Sequence, residues 1–301
     1  MFKLINFFCN MDFIRIVKKS VSITIWIMIV LLIILGYARY VEPFMLDVNE
    51  VTIESSRIAG SAENIKIVVF GDTHFGEYYS LDDFDKVVAT ISKAEPDLVV
   101  FAGDLIDHYD AYYEDDGAIS RKLSKIEAPL GKFAVFGNHD YGGGAENKYQ
   151  AIMEAGGFKV LKNEYLEMDE LKIGLIGIDD VIIGYGDPSV ASEANPDYFN
   201  IVIAHEPDLI DEVLDCDVDL MVSGHTHGRQ VDLMYFDDYV LPPYGRKYIH
   251  GLYEFENERN SKLYVNAGIG MTKMPFRFLS PPELTCIILK GQTDKRLSPE
   301  T

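Results

Sequence analysis

The sequence predicts a largely α/β sandwich carried on one membrane-spanning helix, and three observations lead there. Val21 to Tyr37 is an almost wholly apolar run without a charged side chain. A core helix of that length would show a polar stripe, and this run has none. From Ile65 to Leu214, short β-branched apolar runs alternate with segments of helical period, the pattern of strands interleaved with helices. Beyond Val231 the helical signal fades, and strand-like runs separated by Gly and Pro turns take over.

At ~1.5 Å per residue the apolar run covers about 26 Å, close to the hydrocarbon thickness once Ser20 and Tyr40 help at the edges. Arg15, Lys18 and Lys19 precede it, and the chain turns acidic after Arg39. The positive-inside rule therefore expects a cytoplasmic N-terminus and a single-pass cell-membrane protein with its large domain outside. A cleaved signal peptide is the competing reading. Ala38 has no small partner two residues away in an A-x-A pattern, which favours an uncleaved anchor. Phe2 to Val17 reads as an interfacial segment, with Met11 as an alternative start. The expected division is 1–40 for the N-terminus and anchor, 41–64 for a connector with one strand, and 65–301 for the main domain.

Net charge is −21 over 301 residues, and of the 48 acidic residues only Asp12 lies before residue 41. That balance opposes a nucleic-acid backbone as partner, which needs Lys and Arg. Cys9, Cys216 and Cys286 form no CxxC, so no thiolate metal site is expected; a Cys216–Cys286 bridge stays open.

Taken in order, Val48 to Ile53 and Ile65 to Phe70 are expected strands. Asp82 is the expected cap of a helix presenting Phe84, Val87, Val88 and Ile91 on one face, stopped by Pro96. Leu98 to Ala102 is a strand, Ile119, Leu123 and Ile126 mark a helix, and Lys132 to Phe136 is a strand. Tyr149, Ile152 and Met153 mark a helix ending at Gly156-Gly157. Ile173 to Ile178, Phe199 to Ala204 and Val218 to Val222 read as strands. Between the last two, Pro207 suits the first turn of a helix carrying Leu209, Ile210, Val213 and Leu214. Val231 to Tyr235, Lys247 to Phe255, Leu263 to Val265 and Leu284 to Leu289 complete the strand reading.

Five of these strands end in side chains of metal-ligand type: Asp72 and His74, Asp104, Asn138, His205, and His225 with His227. Open α/β sheets bind ligands outside the carboxyl ends of their strands. Any one such residue is ordinary turn chemistry; five of the seven histidines falling in these five places, counting His139 beside Asn138, is not. Seven mixed N and O donors exceed one tetrahedral zinc. They suit two metal ions sharing a carboxylate, a centre suited to in-line phosphoryl displacement. His139, beside Asn138, is a candidate proton donor, with Asp107 or Asp140 to orient it.

Asp72-x-His74, Gly103-Asp104-x-x-Asp107, Gly137-Asn138-His139-Asp140, His205 and Gly224-His225-x-His227 together resemble the calcineurin-like metallophosphoesterase signature, over about residues 65 to 230. The tail from Asn266-Ala267-Gly268-Ile269-Gly270 through Arg277 to Pro281-Pro282-Glu283 is similar to a membrane-anchored bacterial branch that includes relatives of UDP-2,3-diacylglucosamine pyrophosphatases. The resemblance implies a four-layer α/β/β/α sandwich of two mixed sheets. It implies one metal on Asp72, His74, Asp104 and His227, and a second on Asp104, Asn138, His205 and His225. His139 would contact the leaving group or phosphate, oriented by Asp107.

Manganese is the expected metal for the two ions, with zinc or iron also compatible with such donors. Arg229 stands where this branch usually has a second Gly; it grips a substrate phosphate or pairs with a nearby carboxylate. Arg277 is a second phosphate-contact candidate, and Phe276, Phe278 and Leu279 form either an apolar lip or an ordinary strand. The function expected is a dinuclear-metal hydrolase of a phosphate ester or pyrophosphate bond on a small-molecule or lipid-linked substrate held at the membrane or wall. The alternatives are a soluble nucleotide phosphodiesterase and a metal-binding scaffold without turnover.

Overall fold

The computed structural model describes residues 2–112, 115–232 and 241–291, with side chains from residue 15 onward. One helix, α1 (Phe2–Tyr40), opens the chain and is long and apolar enough to cross a membrane. Trp26, Leu32 and Ile33 are each 65% exposed on it, so no protein core claims its apolar surface.

Two six-stranded mixed sheets follow. The first uses β1 (Asp47–Ser55), β2 (Lys66–Phe70), β3 (Leu98–Phe101), β4 (Gly131–Ala134), β5 (Lys159–Val160) and β12 (Glu283–Gly291), in the order β1-β12-β2-β3-β4-β5. The second uses β6 (Glu164–Met168), β7 (Ile173–Gly177), β8 (Phe199–Ile203), β9 (Leu220–Ser223), β10 (Gly251–Glu254) and β11 (Lys262–Val265), in the order β10-β11-β9-β8-β7-β6. Alternate residues of each strand point to opposite faces, so each sheet has two apolar faces to cover. Ile67, Val69, Val100 and Phe133 of the first sheet meet Leu175, Ile201, Ile203 and Val222 of the second between the layers. The outer face of the first sheet carries Val68, Phe70, Val99 and Phe101. It packs on Phe84, Val87 and Ile91 of α2 (Leu81–Ala94), Ile119 of α3 (Asp116–Leu123), Tyr141 of α4 (Asn138–Gly142), and Tyr149 and Ile152 of α5 (Tyr149–Ala155). Val202, Met221 and Leu263 on the far face of the second sheet pack on Leu209 and on Ile210 and Val213 of α6 (Ile210–Val213). Helix, sheet, sheet, helix is the resulting order of layers.

β2, β3 and β4 are parallel neighbours, as are β7, β8 and β9. Their carboxyl ends therefore leave each sheet on one side, and every candidate ligand is attached there. This is the layout the alternation predicted.

Several local expectations change. Ser80, not Asp82, caps α2: its Oγ accepts from Asp83 N, and the Asp83 carboxylate accepts from Ser80 N. Such a reciprocal box satisfies two donors that a lone Asp cap would not. β5 and β6 appear where no strand was expected. β5 has only two residues, and β6, Glu-Tyr-Leu-Glu-Met on a half-buried edge, lacks a clean alternation of polar and apolar side chains, a weak signal in a single sequence. Both Cys216 and Cys286 are free thiols. Val231 makes only an isolated bridge, to Phe278; the remainder of the strand expected to Tyr235 lies largely outside the described residues. The connector's strand belongs to the first sheet, since β1 runs parallel to β12 over nine residue pairs.

Arg259 ties the base of the second sheet. It is 7% exposed and donates to Asp217 at 2.9 and 2.6 Å, to Asp219 Oδ2 at 3.1 Å and to the carbonyls of Tyr198 and Pro196. Asp219 is itself buried, and that burial raises its pKa against the pull of Asn200 N–H and Arg259. Arg259→Ala is expected to lower unfolding stability by about 3 kcal/mol in denaturant titration, because removing one partner strands the other charge.

Candidate metal centre

Five of the candidate ligands are held by an unusual backbone. Asp72, His74, Asp104, His225 and His227 have φ of 50°, 42°, 59°, 74° and 52°. Left-handed conformations cost an L-residue about 1–2 kcal/mol each, and clusters of them mark sites where surrounding structure over-determines the chain. Here hydrogen bonds at the strand ends supply that constraint. Asp72 N donates to Gly103 O at 2.8 Å, His74 N to Asp104 O at 3.2 Å, and Gly224 N to His205 O at 3.0 Å. Gly224 has no substitute, since a Cβ on it would stand 2.2 Å from Asp72 Oδ2.

The side chains converge into overlapping clusters. Asp72, His74 and His227 form one, His74, Asp104 and His139 a second, and Asp104, His205 and His225 a third, the ligand atoms of each within 4.8 Å of one another. Asp104 Oδ2 lies 3.4 Å from His74 Nε2 and 3.2 Å from His205 Nε2, so one oxygen serves both. The other oxygen accepts from His139 N at 2.8 Å. Asp72 Oδ1 is 3.4 Å from His227 Nε2, and His74 Nε2 is 3.0 Å from His227 Nε2. Asn138 shares the cleft with Asp104 and His225, and its Oδ1 is buried without a hydrogen-bond partner. Lone pairs left bare in a protein interior are costly unless something meets them.

Hydrogen bonds on the far side of each ring set its orientation. His205 Nδ1 is 2.7 Å from Ala102 O, His225 Nε2 is 2.8 Å from Pro243 O, and His74 Nδ1 is 3.2 Å from Asp107 Oδ1. Metal-binding histidines are typically braced in this way, which fixes which nitrogen is free. Burial, with His205 nearby, lowers the pKa of His225 to about 3. Burial, His74 and Arg277 push His227 well below its ordinary value. Both rings are thus held neutral, as ligation requires. His205 behaves oppositely: burial lowers its pKa, but the Asp104 charge prevails and raises it well above the ordinary value. Positive charge is favoured beside Asp104. The donor set and its bare lone pairs fit divalent cations.

His139, Asp107 and Asp140 divide their work differently from the sequence expectation. His139 Nδ1 is 2.7 Å from the Asp107 backbone carbonyl, and 3.5 Å from the Asp107 carboxylate. That carboxylate leans on His74 and accepts from Thr272 Oγ1 at 2.6 Å. Asp140 is fully buried and accepts from the backbone N–H groups of Asp104, Leu105 and Gly137, so it holds the loops together and does not orient His139.

Beside the clusters lies a cleft of about 550 Å³ that reaches His139, Asn138 and His227 and is walled by Ile182, Val231, Leu241, Pro242 and Met274, with Arg229 and Lys273 also on its lining. Arg229 Nη1 stands 3.6 Å from Asp232 Oδ1, so both behaviours foreseen for it are compatible with its position. Arg277 requires a correction. It is wholly buried and donates to the carbonyls of Gly270, Ala267, Gly268 and Ser280. A guanidinium spent on backbone carbonyls beneath the surface does not reach a substrate phosphate. Phe276 and Phe278 are half-buried and Leu279 is 65% exposed, on a segment outside any named strand. Sequence reasoning passed over Thr272, Glu42 and Ser280, none of which carries a motif.

Comparison with known proteins agrees with this geometry. The family model for calcineurin-like phosphoesterase matches residues 65–229. An uncharacterised metallophosphoesterase of Bacillus subtilis, YkuE, is 41% identical over 260 residues, covering 85% of this chain and 90% of its own. Phosphodiesterase YaeI of Escherichia coli is 29% identical, covering 84% and 92%. UDP-2,3-diacylglucosamine pyrophosphatase LpxG of Chlamydia muridarum is 25% identical, covering 84% and 91%. Members of the family use a dinuclear divalent metal centre, for which the strand-end residues are candidate ligands. On the extent of these matches, the chain belongs to the calcineurin-like phosphoesterases and is a hydrolase of the metallophosphoesterase type.

Proposed function

We propose that the protein hydrolyses a phosphate ester or pyrophosphate bond in a membrane- or wall-linked substrate, with a centre of two divalent ions. Asp72, His74, Asp104 and His227 would hold one ion, and Asp104, Asn138, His205 and His225 the other. The observation that carries this is Asp104 Oδ2, which lies 3.4 Å from His74 Nε2 and 3.2 Å from His205 Nε2 and so links the ligands of one ion to those of the other. Ions bound there would activate water and neutralise charge on the phosphoryl group. Manganese suits the mixed N and O donors, as do zinc and iron.

His139 lines the cleft. With Nδ1 engaged by the Asp107 carbonyl, its Nε2 is the nitrogen left to contact phosphate and to protonate the leaving oxygen. The Asp107 carboxylate acts one step back, by fixing His74. Arg229 offers a cation at the cleft wall. The apolar side of the cleft suits a substrate with hydrocarbon next to its phosphate, and the relative named for a diacylated glucosamine pyrophosphate supports that class.

Position relative to α1 supports a membrane substrate. Arg277 N donates to Ala38 O at 3.0 Å, on the last turn of the apolar helix. Met274, on the cleft wall, stands three residues earlier, at most about 10 Å of extended chain. The reacting groups then lie near the bilayer surface, outside the cytoplasm if Arg15, Lys18 and Lys19 mark the inner side.

Treatment with EDTA should abolish hydrolysis of a generic phosphodiester, and Mn²⁺ should restore it. Lipid extracts should yield product where soluble nucleotides do not; the reverse would favour a soluble phosphodiesterase. His139→Ala should lower kcat about 10²- to 10⁴-fold with both ions retained by elemental analysis, and loss of metal would make His139 a ligand. Asp104→Asn should deplete both ions; one ion at full occupancy would exclude sharing.

A further inference from the structure

The loop bearing His227 is held from an unexpected direction. His227, Gly228, Arg229 and Gln230 follow one another at φ of 52°, 54°, 72° and 59°, a run that L-residues adopt only under constraint. The constraint comes from the segment 272–280. Ser280 Oγ donates to His227 O at 2.8 Å, and Phe278 N donates to Gln230 O at 3.0 Å. The Gln230 amide reaches back to the carbonyls of Thr272 and Met274, at 3.0 Å each. Arg277, beneath the loop, gathers the carbonyls of Gly268, Gly270 and Ser280.

That segment is in turn fastened to the end of α1. Besides the bond from Arg277 N to Ala38 O, Ser280 N donates to Glu42 Oε1 at 2.7 Å. Glu42 sits two residues past the helix and is 3% exposed, a placement Glu seldom adopts without a partner. A continuous path therefore runs from Glu42 through Ser280 to the backbone of His227. Neither Glu42 nor Ser280 lines the cleft.

We propose that Glu42 and Ser280 are positioning residues for His227, so that the junction following the N-terminal helix completes one of the two metal sites. The proposal rests on the dinuclear reading above. It makes affinity for the ion on Asp72, His74 and His227 depend on an acceptor at position 42, whereas the ion on His205 and His225 is independent of it.

The test is Mn²⁺ titration of the full chain in detergent, followed by electron paramagnetic resonance and elemental analysis. Wild-type protein should bind two ions. Glu42→Ala and Ser280→Ala should weaken one about 10- to 100-fold, the range for partners that brace a ligand, and leave the other unchanged. Glu42→Gln keeps an oxygen for Ser280 N and should bind like wild type, while Glu42→Asp, one methylene shorter, should not. That contrast decides the matter even where Glu42→Ala fails to fold. Unchanged affinities in Glu42→Asp and Ser280→Ala would overturn the proposal, as would equal weakening of both ions. A wild-type protein that binds fewer than two ions would overturn the dinuclear reading itself, and with it this one.

Discussion

Asp72 and Asp104 lie at 0 and 2% exposure in the interior, and the cost of ionised carboxylates in such a place governs much of what surrounds them. Desolvation of a charge is repaid only by close partners. Asp72 receives the N–H of His225 at 3.1 and 3.2 Å, and Asp104 receives that of His139. Imidazoles occupy the remaining directions. Burial opposes ionisation of Asp104, but His205 and His139 override it and hold the pKa well below the ordinary carboxylate value. The strained backbone at the strand ends follows from the same requirement. Extended chain would carry these side chains past one another, whereas left-handed turns return them to a common point.

The sheet topology explains why so much of this was legible in one sequence. Each ligand lies two to four residues beyond the end of its strand, so locating the strand's end nearly locates the ligand. Strands β2, β3, β8 and β9 are near-continuous apolar runs because both faces are covered. They could be placed to within a residue or two. The metal-type residues then fell into register without knowledge of the fold.

What escaped the sequence shares a different cause. Arg277 read as a candidate phosphate contact; only its depth and its carbonyl partners show a structural cation. Asp107 and Asp140 are equally plausible braces for His139 by spacing, and distances alone separate them. Glu42 was one acidic residue among many in a connector, and its partner Ser280 lies 238 positions away. Long-range pairing of this kind leaves no periodic signal, nor does a two-residue strand such as β5.

The pairing of β1 with β12 has a consequence for biogenesis. β12 lies between β1 and β2 in the first sheet, so the strand that follows the N-terminal helix has no neighbour to join until Glu283–Gly291 has been synthesised. Contacts so distant along the chain form late, after the loop between them has been closed. During translation α1 can reach the bilayer early while β1 waits unpaired, an exposed edge of the sort that invites wrong partners. Insertion of β12 would then close the sheet and bring Ser280 up to Glu42 in a single event, so a ribosome stalled a few codons short of it would leave the first sheet, and with it the hydrolase, unassembled.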